Sequence, residues 1–322
     1  MNKLLEIILA RSSGFEFDTF AIGTQIKPSI IDRDDAVRSN FKLVGSDSVK
    51  TAITGEISRR FARTTGKTLD VLDPDLTLVV DTKNETCHAR SKDIVMQGRY
   101  VKTRRGFPQK QVPCANCTGK GCQTCGFHGI DCFDSVEGKI SKIIISKFGC
   151  TTIRFTWIGG EDKASLVLGT GRPFFARIQN PAKRNPGLGR RIKMDFVELH
   201  GCKVLESFPQ MPIRFLSTIK IRISAKDTLD TVALQRLKHA LHSPVMIRAD
   251  SGKYSEKRVY KVRYRRISDR DFILNIDAEG GLPIKRFVVG DNVEPGISQI
   301  LGTDCKCVRF DFAKIYQVVI KP

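Results

Sequence analysis

Gly159-Gly160-Glu161-Asp162-Lys163-Ala164-Ser165-Leu166-Val167-Leu168-Gly169-Thr170-Gly171-Arg172-Pro173-Phe174 is the stretch on which the reading of this chain turns. It follows a largely apolar segment ending in Trp157 and runs into Phe174–Ile178, so the pattern predicts a glycine-rich loop, Gly159–Gly171, between two strands. Glycines let a backbone approach a ligand closely, and a carboxylate set among cations keeps its charge and can serve as nucleophile or base. Glu161 and Asp162 have that character, although acids in a loop are also ordinary solvated turn formers.

Working outward, residues 140–146 and Thr151–Trp157 read as strands upstream of the loop, and Asn180-Pro181 closes the strand after it. Residues 226–242 read as a helix capped by Asp227, with Val232, Leu237 and Leu241 on one face and Arg236 and Lys238 on the other. Arg258–Ile267 and Phe272–Asp277 read as paired strands. Toward the N-terminus the character is mixed. Val49, Ala52, Ile53, Ile57 and Phe61 recur at helical spacing after Ser48, and strands are predicted at Leu76–Val80 and near Ile94–Met96. The fold class is α+β, with domains at residues 1–132 and 133–322 that meet at a cysteine cluster.

The chain of 322 residues carries 54 Lys+Arg against 34 Asp+Glu, a net charge of +20. An apolar fraction of 41% excludes wholesale disorder, and the longest apolar runs are too short to span a bilayer. Glu6 and Arg11 interrupt the N-terminal stretch, which does not read as a secretory signal. A cytoplasmic chain with a polyanionic partner, nucleic acid first, is the expectation.

Cys114, Cys117, Cys122 and Cys125 form two C-x-x-C knuckles separated by four residues, within reach of one structural zinc. A redox pair fits the same spacing, and Cys87, His128 or Cys132 could replace a knuckle. Three basic segments stand out: residues 99–110 with Arg99, Lys102, Arg104 and Arg105; residues 183–193 with Arg190 and Arg191; and residues 253–270. In the last, strand alternation puts Lys261, Arg263 and Arg265 on one face and Tyr260, Val262 and Tyr264 on the other, a row of cations suited to RNA phosphates.

Three blocks resemble the archaeal tRNA pseudouridine synthases that join a THUMP-containing domain to a catalytic domain. They are Gly98–Gln109 with the four cysteines, Gly160–Phe174 with Asn180-Pro181, and Ala278–Lys285 with Gly290-Asp291 and Pro295–Leu301. The resemblance implies a catalytic sheet that is mixed and mainly antiparallel, no organic cofactor, tRNA rather than DNA or a membrane as partner, and a monomer. It further implies conversion of T-loop uridine, at position 54, position 55 or both, to pseudouridine. Asp162 falls on the catalytic aspartate and Lys285 on the lysine of the late block, with Arg172, Arg222, Pro283 and Ile284 also on the substrate side. The chain departs from the family pattern at Gly160, where the family has arginine, at Ala164 and Leu166, and at Arg222 and Pro283, where it has tyrosines. An early C-x-x-C is replaced by Ala10-Arg11-Ser12-Ser13. A catalytically degenerate tRNA-binding protein or RNA chaperone of the same fold is the alternative. A DnaJ-type zinc module on a protein-binding chaperone fits less well, given the charge and the missing J-domain signature.

Overall fold

A computed structural model describes residues 1–210 and 212–318, which divide into two units. The first comprises Met1–Ile94, Ile144–Ile153 and Arg177–Gly187; the second comprises Val95–Ile143, Arg154–Ala176 and the chain from Leu188 onward. The division expected at 132/133 lies inside the second unit, and so does the cysteine cluster.

In the first unit the order is α1 (Asn2–Ser12), β1 (Thr19–Gln25), α2 (Pro28–Asn40), α3 (Val49–Thr65), β2 (Thr68–Leu69), β3 (Leu76–Asp81) and β4 (Thr86–Ser91). Ser48 caps α3 by accepting the Thr51 amide, and Gly66 ends it at φ 69°. The sheet order is β2-β1-β3-β4, with β1 parallel to β2 and β3. Phe20, Ile22, Leu76, Leu78 and Val80 alternate inward from the strands and meet Ile8, Ile57 and Phe61 from the helices in one core.

Next come β5 (Ile94–Lys102), α4 (Val136–Phe148), β6 (Thr152–Trp157), β7 (Val167–Gln179), β8 (Arg191–Met194), β9 (Val197–Leu205), β10 (Phe215–Ala225), α5 (Thr231–Ala240), β11 (Val245–Arg248), β12 (Tyr254–Lys257), β13 (Val259–Arg266), β14 (Asp271–Glu279), α6 (Ile284–Val289), β15 (Val293–Glu294), α7 (Ile297–Leu301) and β16 (Cys305–Gln317). Nine strands form a mixed sheet in the order β13-β14-β10-β16-β7-β5-β9-β8, with β6 on β7. Along β10, Ile219, Ile221 and Ile223 are buried, which turns Thr218, Lys220 and Arg222 to the opposite face.

Several local expectations are corrected. Residues 140–146 belong to helix α4, because Val136, Ile140, Ile143, Ile144 and Phe148 are buried at helical spacing. The helix near 226–242 is shorter, and its cap is Asp230, which accepts the Ala233 amide; Val232 is exposed while Leu234 and Leu237 are buried. A register shift between Val259 and Lys261 leaves Tyr260 exposed rather than on the Val262 face. The basic connector is strand from Gly98 to Lys102, and the glycine-rich loop ends at Leu166.

Two glycines sit within strand β7 for steric reasons. At Gly169 (φ +57°) an added Cβ would lie 2.2 Å from the Ala313 carbonyl oxygen, and at Gly171 (φ +67°) 2.6 Å from that of Tyr100. Gly171→Ala is expected to lower the unfolding free energy by about 1–3 kcal/mol in denaturant titration. An unchanged midpoint would contradict this backbone account.

Candidate active site

The turn after β6 brings Asp162 to its place. Ala164 donates its amide to Asp162 Oδ1 at 2.8 Å, and the Asp162 carbonyl accepts from the Ser165 amide (3.0 Å) and hydroxyl (2.8 Å). Lys285, in the first turn of α6, puts its Nζ 2.6 Å from Asp162 Oδ2. Burial pushes the Asp162 carboxyl up, but the Lys285 hydrogen bond, the Ala164 amide and the charges of Lys285 and Lys102 outweigh it and hold the group below the ordinary carboxylate value. The carboxyl is partly open to solvent, so an ionised acid faces outward from a fixed backbone.

Beneath it lies a buried network. The Glu161 carboxylate accepts from Tyr100 Oη at 2.9 Å and stands 3.5 Å from Arg172 Nε and 3.6 Å from Lys102 Nζ, with all three charged side chains fully buried. Gln109 donates to Tyr100 Oη and to the Gly159 carbonyl. Lys102 also donates to the carbonyls of Asp162 (3.2 Å) and Lys163 (3.3 Å). Burial pushes Glu161 up, against the pull of Arg172 and Lys102. Two cations against one acid make the loop floor net positive, which favours charge on Asp162.

On the polar face of the large sheet, Lys220, Arg222, Arg265, Arg266, Arg309 and Asp311 line a cavity of about 430 Å³. Strand register explains the grouping: Lys220 lies opposite Asp311, and Arg222 opposite Arg309 on β16 and Ile273 on β14. Arg222 Nε is buried without a hydrogen-bond partner among the described residues. Lys261, Arg263, Lys314 and Tyr316 continue the face around a second cavity of about 300 Å³. The one acid of the first cavity is already neutralised, since Arg105 holds Asp311 through two bonds of 2.6 and 2.8 Å. Arg266 is held by Asp269 at 2.6 Å and Asp277 borders the second cavity, but Lys220, Arg222, Arg265 and Arg309 still outnumber the acids of the face, and cations at strand spacing suit a polyanion.

The predicted residues divide accordingly. Lys285 reaches Asp162, while Pro283 and the buried Ile284 open its helix. Arg172 is part of the buried floor: it donates to the Ile158 carbonyl, lies 4.3 Å from the Phe312 ring and borders a cavity of about 220 Å³ with Gly160, Phe215 and Ser217. Lys102 is corrected from RNA contact to buried support, because its ammonium has no exposed surface. Arg99 is only partly buried, and its guanidinium donates to the carbonyls of Thr170, Gly171 and Ile315. Arg105 is occupied by Asp311 and the Ala164 carbonyl. Arg104 pairs with Asp195, and Arg191, still largely exposed, with Glu198. Arg190, Lys261, Arg263 and Arg265 are exposed. Sequence reasoning passed over Lys220, Arg309 and Asp311 as site residues. The alternation Arg309-Phe310-Asp311-Phe312 was the available signal, with Phe310 and Phe312 buried.

The Sγ atoms of Cys114, Cys117, Cys122 and Cys125 lie within 4.8 Å of one another, and the group includes none of Cys87, His128 or Cys132. Cys125 Sγ is 3.8 Å from both Cys117 Sγ and Cys122 Sγ, against about 3.8 Å for sulfurs on a tetrahedral zinc with bonds of about 2.3 Å. Amides of Gly121, Cys122 and Gly129 point at the sulfurs at 3.2 Å. The Cys122 amide pulls the Cys125 thiol down to about 6, with burial opposing and the Gly129 amide assisting. Zinc requires thiolate ligands, and the spacing of the four sulfurs, with backbone amides aimed at them, fits one such ion.

Comparison with known proteins bears on what this arrangement belongs to. The family model for the archaeal Pus10 THUMP domain matches residues 4–81, and that for the Pus10 C-terminal region matches residues 95–198 and 216–316. A protein of Nitrosopumilus maritimus named tRNA pseudouridine synthase Pus10 is 47% identical over 97% of this chain and 82% of its own length. Proteins of the same name from Cenarchaeum symbiosum (36% identical, 94% of this chain, 75% of that one) and Methanosphaera stadtmanae (28%, 98% and 86%) also align.

Proposed function

We propose, on the footing that this chain belongs to the Pus10 family, that it isomerises uridine to pseudouridine in the T-loop of tRNA, at position 54, position 55 or both. The single observation that carries the reading is the Lys285–Asp162 contact of 2.6 Å, which keeps ionised the acid that meets the nucleotide. In the reaction the C1′–N1 bond breaks, the base turns, and C1′ joins C5. C5 loses a proton and N1 gains one, so composition is unchanged and no redox partner is consumed. A uridine held in a folded tRNA must leave its stack to reach Asp162.

The cationic sheet face, with Lys220, Arg222, Lys261, Arg263, Arg265 and Arg309, receives the RNA backbone, joined by Arg190 and Arg191. Arg222 stands where the family has a tyrosine; its planar group, with Nε unpaired among the described residues, takes the place of the ring against the base. The N-terminal unit grips tRNA, and one zinc on the four cysteines stabilises the loop that carries them. The activity belongs in the cytoplasm, with its tRNA substrate.

Unmodified tRNA incubated with the wild-type chain is expected to gain pseudouridine in the T-loop, detected by nucleoside mass labelling or carbodiimide-dependent reverse-transcription stops. Asp162→Ala is expected to lose at least about 1000-fold in rate while still binding tRNA. Equal product from both would remove Asp162 from the mechanism, and binding without product from either would favour the degenerate binder. For the metal, the purified chain is expected to hold one zinc by elemental analysis and Cys122→Ser to hold well below one; full occupancy in that variant would overturn the four-cysteine assignment.

A further inference from the structure

The structure assigns to Arg105 and Asp311 the positioning of the Asp162 loop, a role that rests on the reaction proposed above. Ala164 is gripped at both ends: its amide donates to Asp162 Oδ1 at 2.8 Å, and its carbonyl accepts from Arg105 Nη1 at 2.6 Å. Arg105 in turn holds Asp311 with both Nη atoms, and Asp311 Oδ1 accepts the Leu166 amide at 2.9 Å. The Leu166 carbonyl accepts the Phe312 amide at 3.0 Å, and Gly106 donates to the Lys163 carbonyl at 2.8 Å. Residues 163–166 are thus anchored to one side chain of the basic segment and one of β16. The catalytic carboxylate receives its backbone hydrogen bond from the segment so anchored. Asp311 also lines the cationic cavity, so the clamp joins the acid to the wall that receives RNA. Two of the three contacts of Arg105 need its planar fork, which lysine lacks.

An RNA contact and a positioning clamp give opposite results. Arg105→Lys keeps the charge and loses the fork. It is expected to bind tRNA within about twofold of wild type, while the single-turnover rate at saturating enzyme falls about 10- to 100-fold. Carbon-13 NMR of labelled aspartate is expected to show the Asp162 titration midpoint moved upward, since the Ala164 amide is no longer held on Oδ1. Asp311→Asn is expected to slow the same step and raise the same midpoint while binding tRNA equally or more tightly, because a negative charge leaves the cavity wall. The assignment is overturned if Arg105→Lys weakens tRNA binding severalfold but keeps the wild-type saturating rate and an unmoved Asp162 titration. Should Arg105→Lys fail to fold, Asp311→Asn reports the same quantities. If the wild type itself makes no pseudouridine, the proposed reaction fails, yet the Asp162 midpoints still decide whether the clamp sets that carboxylate.

Discussion

The ammonium of Lys285 against the carboxylate of Asp162 is the contact on which the account depends. A half-buried acid would otherwise drift toward its neutral form, and a neutral acid is neither a nucleophile nor a base. Partial exposure keeps this ion pair from being a stability device, because solvent screens it and two flexible partners lose entropy in forming it. Its value lies in charge state. The Ala164 amide acts in the same direction and costs no side-chain entropy, and the charge of the buried Lys102 adds a longer-range pull.

The strands and loop beside that contact are fixed by buried packing and hydrogen bonds. The β7 glycines let the strand pass close to neighbouring backbone, Arg99 closes three carbonyls between strands, and Glu161 anchors the floor. Buried charge of this kind is expensive to desolvate, and breaking one member leaves another unpaired. The expense is tolerated where geometry matters more than stability. Lys102 and Arg105 hold carbonyls of the loop and Arg99 those of β7 and β16, so the cations left facing the cavity on the sheet are Lys220, Arg222, Arg265 and Arg309.

How much of this was legible in the sequence follows from what each signal physically reports. Residue spacing found α3, β3, β13 and β14, because one-sided burial imposes a period. The same period misread residues 140–146, whose isoleucines recur at three and four but lie so close together that they also pass for a buried strand. The cysteine cluster and the Asp162–Lys285 correspondence were readable as motifs, one from ligand spacing and the other from family resemblance. Charge counting failed at the buried Lys102 and could not show that Arg99 and Arg105 face carbonyls and Asp311, since a basic run says nothing about which cations have partners inside the fold. Asp311 was invisible as a site residue because its partners lie 145 and 206 positions away, and only strand pairing brings them together.

In the proposed reaction Asp162 works as an anion because Lys285 holds it so, and a pH–rate profile of single-turnover pseudouridine formation is the decisive test. In the wild type the acid limb should fall below the ordinary carboxylate range, since the folded value is lowered and the active form persists as pH drops. In Lys285→Met the limb should move upward, with the rate at neutral pH reduced. A limb that stays in place in that variant, or a wild-type limb above the ordinary carboxylate value, would contradict the account.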